Sequence, residues 1–154
     1  MRAIQPLFYL FLILLLGCAF SCSDDDQATD TNIEDSNFCL VLIDGEFQDV
    51  DLDVEPEFLD NGQKGFLEAF FGIIKYPAIA RENGTEGTVV LEFEISEIGT
   101  VENVIIFQDI GDGCGAEAKR SLEVATESVS YSPGVLNDVN RRVKKRISIR
   151  FRLG

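Results

Sequence analysis

The 154-residue chain has no histidine, no tryptophan, one methionine and four prolines. Without histidine, no Ser-His-Asp or Cys-His nucleophile can assemble and no imidazole can hold a metal. Cations are scarce too: 13 Lys and Arg stand against 27 Asp and Glu, a net charge of −14. That sign argues against a nucleic-acid partner, because a phosphate backbone is held by an excess of Lys and Arg. No apolar run reaches the length of a membrane span. The longest, residues 7–16, is ten residues, about half of a 30 Å hydrocarbon core. With Arg2 before it and the small residues Gly17, Ala19 and Ser21 after it, the run reads as the apolar region of a secretory signal. A transmembrane anchor extended to Ser21 is the alternative.

The remaining composition, 45% apolar, suits one globular domain. Its charge is unevenly placed. Residues 141–154 carry seven of the 13 cations and no acid, which leaves −21 on the other 140 residues. Cys18 and Cys22 each close a tetrapeptide that resembles the bacterial lipobox, in which the cysteine is lipidated and becomes the mature N-terminus. Cys22, followed by Ser23 and three aspartates as in many Bacteroidetes lipoproteins, is the expected lipidation site, and Cys18 is the alternative. Acyl chains on one cysteine, at about 0.8 kcal/mol per buried methylene, hold a protein stably at a membrane. Residues 23–37 carry six acids and no cation. Such a stretch cannot bury enough apolar area to offset its ordering entropy, so it reads as a tether. The expected organisation is a signal over 1–21, a tether over 22–37, an extended arm over 38–56 and a folded domain over 57–154.

Residues 38–43 are an apolar run that Asp44 and Gly45 end as a turn, and residues 47–54 alternate after it. The pair predicts a hairpin or an irregular extended arm. Asp49, Asp51 and Asp53 share one face of the alternation; the glycine spacing of a calcium loop is missing, so they read as a solvated face. Phe66, Leu67, Phe70, Phe71, Ile73 and Ile74 predict a helix over 63–75, closed by Tyr76 and Pro77. A helical turn follows over 77–82, stopped by Asn83 and Gly84. Residues 88–95 and 101–109 predict a strand and its return, and Gly111, Gly113 and Gly115 lead into a helix over 116–128. The last strand, 143–153, sets Ile147, Ile149, Phe151 and Leu153 on one face and Arg146, Ser148, Arg150 and Arg152 on the other. This order predicts an α+β fold: a small antiparallel sheet, hairpin plus C-terminal strand, with two helices packed on one face.

From about Glu57 onward one ordered set of motifs accumulates. It comprises Tyr76, Pro77 and Ala78, then Gly84 and Gly87 before a strand, the Gly99 turn, a return strand and a helix. Tyr131, Pro133 and Gly134 follow, then a final strand containing Phe151. The set resembles the TonB C-terminal domain family. The Gly111 to Cys114 segment and Pro56, Glu57 and Phe58 are similar to its Bacteroidetes members. Tyr131 departs from the Trp usual in the family, exchanging one amphipathic aromatic for another. A full energy transducer of the family also has an inner-membrane helix with a His and a long Pro-rich spacer. With no His and four Pro, the expectation is the binding fold without the usual coupling to a proton-driven motor.

The resemblance implies that the last strand lies at a sheet edge and pairs with an extended segment of a TonB-dependent outer-membrane transporter, the TonB box. In such strand addition, backbone hydrogen bonds give affinity and flanking side chains give register. The residues it marks for the partner are Tyr76, Pro77, Arg146, Ser148, Ile149, Arg150, Phe151 and Arg152, the arginines favouring an acidic peptide. Plainer readings stand beside these. Cations on an edge strand deter aggregation or pair with acids such as Glu92 and Glu94, and Tyr76 and Pro77 serve as a helix stop. Cys39 and Cys114 are either buried free thiols or a disulfide whose loop of about 75 residues would contribute roughly 4 kcal/mol. The expected protein is a non-enzymatic binding module, lipid-anchored to the outer membrane and facing the periplasm or the surface. No cofactor, metal, nucleic acid or small-molecule substrate is expected. The alternative is an envelope or surface lipoprotein of TonB-like fold that serves other protein interactions.

Overall fold

The computed structural model describes residues 33–127 and 129–154; the expected signal, Cys18, Cys22 and the first part of the expected tether lie outside the described residues. Asp44 and Gly45 take φ of 51° and 88°, the two left-handed residues that a tight hairpin turn requires. They join β1 (Ile33–Ile43) to β2 (Glu46–Gln48), with Val41 opposite Gln48 and Ile43 opposite Glu46. After an irregular segment comes α1 (Gly62–Phe71), which buries Phe66 and Phe70. It ends four residues before the expected Lys75, at Gly72, and Ile73 and Ile74 both turn their N–H back to the Phe70 carbonyl. Helical hydrogen bonding thus frays over Gly72 to Ile74, just ahead of Tyr76 and Pro77. The second helix, α2 (Ala78–Asn83), opens after Pro77 in an extended conformation and closes on left-handed Gly84.

The strands β3 (Gly87–Ile95) and β4 (Val101–Gln108) form the expected hairpin, and α3 (Cys114–Glu127) crosses back over it. A second small hairpin, β5 (Gly134–Leu136) and β6 (Val139–Arg141), turns on Asn137 and Asp138 at φ of 54° and 60°. It leads into β7 (Val143–Phe151). β7 pairs antiparallel with β3 over nine unbroken positions, from Val143 opposite Ile95 to Phe151 opposite Gly87.

The α+β class holds, and the sheet is larger than expected. Its order is β2-β1-β7-β3-β4, all antiparallel. The arm expected over 38–56 contributes β1 and β2 to the sheet, and β1 begins at Ile33, inside the stretch expected to be tether. Two observations explain why the arm is part of the domain: Val41 is fully buried in the core, and Leu42 N–H donates to the Arg142 carbonyl at 2.9 Å. The last strand is thus not an edge strand. β1 covers the side of β7 that the resemblance leaves open.

Inward residues of β3 (Val89, Leu91, Phe93, Ile95) and β7 (Val143, Ile147, Ile149, Phe151) meet Phe66, Phe70, Ala80, Ala118 and Leu122 in one core. Burying each large apolar side chain contributes roughly 1.5–3 kcal/mol. Among the described residues, no helix is long and apolar enough to cross a membrane.

Candidate functional site

β7 alternates strictly. Ile147, Ile149 and Phe151 point into the core, while Lys144, Arg146, Ser148 and Arg150 point to the helix-free face of the sheet. On that face Glu92 of β3 sits opposite Arg146. Its carboxylate takes Arg146 Nη2 at 2.7 Å and Lys144 Nζ at 3.3 Å. Burial works to raise the Glu92 pKa, but the hydrogen bonds and charges of Arg146 and Lys144 outweigh it and hold the group below the usual carboxylate range. The Arg146 guanidinium also lies between two rings, 3.9 Å from the Phe38 centroid and 3.7 Å from that of Phe107. Lys144 stands 4.3 Å over Phe47. Arg142 reaches Glu102 at 2.7 Å, Glu94 at 3.2 Å and Glu97 at 3.7 Å. The plainer expectation for these cations is the observed one: Arg146 is clamped inside the protein's own network. Arg150 and Arg152 are exposed.

Lys145 is the exception among inward residues. It is buried and reaches Glu55 at 3.6 Å, beside a cavity of about 210 Å³ lined in part by Phe58, Phe66, Phe93 and Tyr131.

Backbone direction sorts the marked residues further. In an antiparallel strand, successive residues turn their N–H and C=O to alternate neighbours. Because the Arg142 carbonyl accepts from Leu42 of β1, Lys144, Arg146, Ser148 and Arg150 face β1 and the odd-numbered residues face β3. Ser148 and Arg150 therefore carry the outward backbone groups of the C-terminal half of β7. Ile149, fully buried and bonded toward β3, is structural. Phe151 is likewise core, its ring edge-on to Tyr76 at 5.5 Å.

Tyr76 is buried and its hydroxyl donates to the Thr85 carbonyl. Burial pushes its phenol up, with Cys114 and Glu86 adding to the effect. Pro77 is half-buried at the start of α2. The pair positions α2 beneath the end of β7, with the Tyr76 ring turned inside against Phe151. The glycine loop that follows β4 serves α3: Asp109 Oδ1 accepts the N–H groups of Ile110, Gly111 and Gly115 at 2.8, 3.1 and 2.9 Å. A Cβ at Gly115 would come within 2.6 Å of that carboxyl, so only glycine fits. Cys39 and Cys114 do not form a disulfide with each other. Cys39 lies on β1 opposite Lys145, and Cys114 is buried at the start of α3. Burial, then Asp109 and Asp112, push the Cys114 thiol up to about 11.

A surface that no sequence motif marks lies on β4. Among the described residues no strand pairs with the outer edge of β4, and Ile105, Ile106 and Phe107 are 49%, 38% and 54% exposed. Their run of apolar residues was the available signal. Two register shifts against β3 and a left-handed Asn103 roughen that edge, which discourages regular pairing.

The family model for the Gram-negative bacterial TonB protein C-terminal matches residues 74–153, more than half of the chain. The chain belongs to the TonB C-terminal family. That match takes in Tyr76, α2, both strands of the β3–β4 hairpin, α3 and all of β7, and leaves β1, β2 and α1 outside it. A TonB C-terminal domain is a protein-interaction module of the cell envelope and not an enzyme family. No curated protein and no solved structure matches the chain.

Proposed function

We propose that the chain is a lipid-anchored binding module that takes part in TonB-dependent outer-membrane transport by adding an extended, acidic transporter segment to β7. The observation that carries this reading is the outward aim of the Ser148 and Arg150 backbone groups, next to the exposed Arg150 and Arg152 side chains. Strand addition needs backbone groups in a row that a partner strand can take over, here from the short pairing of Glu34 with Ser148, and an acidic peptide gains from cations beside them. Cys22, or Cys18, carries the acyl chains that hold the module at the outer membrane, and the acidic stretch after it gives the domain reach. One observation favours a second reading, an envelope lipoprotein with other partners and no part in transport: β1 already pairs with β7.

A panel of acidic TonB-box peptides separates the two by fluorescence anisotropy. The transport reading expects binding that Arg150→Glu weakens at least about tenfold, with little change in thermal stability because the residue is exposed. If no peptide of the panel binds, the second reading stands. Protease treatment of intact and lysed cells adds the location. Digestion in intact cells would put the domain outside, where transport coupling has no role for it.

A further inference from the structure

We infer that residues 33–35 are an internal occupant of the β7 edge: a short acidic strand that opens on its own and that an extended acidic partner must displace. The inference rests on the reading of that edge as a peptide-binding strand and says how the edge is regulated.

The pairing of β1 with β7 is two ladders, not one. Cys39, Leu40 and Val41 pair with Lys145, Lys144 and Val143, while Ile33, Glu34 and Asp35 pair with Ile149, Ser148 and Ile147. Between them β1 advances four residues and β7 two, so the register shift leaves extra β1 chain outside the ladder. The two halves are held very differently. The 39–41 half is tied down by fully buried Val41, by the Leu42 to Arg142 hydrogen bond at 2.9 Å and by the turn into β2. At the junction Phe38 stacks on Arg146. Beyond it the 33–35 half is a three-residue ladder, with no β2 on its other side, since β2 pairs only with residues 41–43. A short terminal ladder separated by a bulge frays as its own unit.

Where it frays is where the module would bind. Glu34 stands opposite Ser148, the residue whose backbone groups turn toward β1. Ile33-Glu34-Asp35 continues the acidic stretch before it, so its charge has the sign that exposed Arg150 favours. The occupant therefore has the chemistry expected of the external peptide. A site filled most of the time binds with an affinity reduced by the fraction that is vacant.

Glu34→Pro in the full-length chain, in detergent micelles, tests this. It deletes the backbone donor that meets Ser148 and leaves the 39–41 ladder untouched. Ile33→Pro is the control, because the N–H of residue 33 turns away from β7 and proline is tolerated there. Two readouts are needed: amide hydrogen exchange, and binding of the acidic TonB-box peptides. The expected result has three parts. In the unaltered chain Ser148 exchanges at least about tenfold faster than Lys144. Glu34→Pro speeds Ser148 further without changing Lys144, and it tightens peptide binding about tenfold while Ile33→Pro does not. Equal protection of Ser148 and Lys144 in the unaltered chain would overturn the inference, since the two ladders would then open together. So would equal peptide affinity of the unaltered chain and Glu34→Pro. Absence of binding by both proteins overturns the peptide reading of the edge and this inference with it, and the missing signal distinguishes that outcome from equal affinity.

Discussion

Gly99, in the turn between β3 and β4, has φ +85°, and a Cβ built on it would lie 1.8 Å from the Tyr131 carbonyl oxygen. Its own carbonyl accepts the Tyr131 N–H at 2.9 Å, so this turn touches the segment after α3 directly. Any side chain must move backbone here and also adopt an unfavourable φ. Gly99→Ala is expected to destabilise the fold by at least about 3 kcal/mol, read from urea unfolding. Tyr131, which it would displace, packs within 5.4 Å of Phe58 and 6.3 Å of Phe93 by ring centroids. The two described cysteines give a second residue-level expectation. Cys114 is fully buried with its thiol pushed up to about 11, whereas Cys39 is only half-buried on β1. Thiolate is the reactive form. Iodoacetamide on the native protein at pH 8 should therefore mark Cys39 first, with Cys114 reacting only on unfolding, as peptide mapping by mass spectrometry will report.

At the scale of elements, the parity of β7 makes a sharper prediction than its composition. Ile149 turns its backbone to β3 and its side chain into the core. Ile149→Pro removes a central ladder bond and repacks a buried position, at an expected cost above about 4 kcal/mol, so it reports on folding and not on the partner. Ser148→Pro removes a donor on the β1 side only. It should cost less than about 2 kcal/mol and still abolish strand addition. Urea unfolding together with peptide binding separates the two; equal costs would mean that Ser148 does not turn its N–H to β1. Much of this was legible beforehand. Alternation in 88–95 and 143–153 set the inward and outward faces of β3 and β7, and the order of elements put the C-terminal strand in one sheet with the hairpin. What sequence could not supply was the neighbour on the other side of β7, because the choice between a loose arm and a paired β1 depends on whether Val41 finds space in the core. Local pattern at residues 38–43 is the same in either case. The short β5–β6 hairpin was missed for a different reason: Asn137 and Asp138 make a tight turn without glycine, a weaker signal than Asp44 with Gly45. Of the marked residues, Ser148, Arg150 and Arg152 kept an outward position, while Tyr76, Ile149 and Phe151 went inside, since a motif in a line of text does not distinguish a residue that shapes an edge from one that touches a partner.

For the whole molecule, charge is arranged so that the cation-rich C-terminal segment lies against acids brought from β3, β4 and the turn between them. Arg142, Lys144 and Arg146 are neutralised by Glu92, Glu94, Glu97 and Glu102, which spares a −14 chain some of its self-repulsion. The same arrangement sets the pH range over which the fold is most stable. Glu92 is held below its ordinary pKa because the bonds and charges of Arg146 and Lys144 overcome its burial. Glu117 is held down in the same way, burial being overcome by Arg120, the Lys75 N–H and Ser121. For groups depressed in the folded state, the stabilisation is present above the unfolded pKa, about 4.3, and is lost as pH falls through the folded values. On the alkaline side the sign reverses. Cys114, pushed up to about 11, and Tyr76, raised chiefly by burial, favour their neutral forms when folded. Their contributions are present below the unfolded pKa values, about 8.5 for a thiol and 10 for a phenol, and are lost as pH rises through the folded ones. Thermal unfolding should therefore show a plateau between about pH 5 and 8 with a fall on each side. Glu92→Gln should shallow only the acid fall and Cys114→Ala only the alkaline one. If Glu92→Gln left the acid fall unchanged, the ion pairs of Glu92 with Arg146 and Lys144 would be contributing nothing to folding.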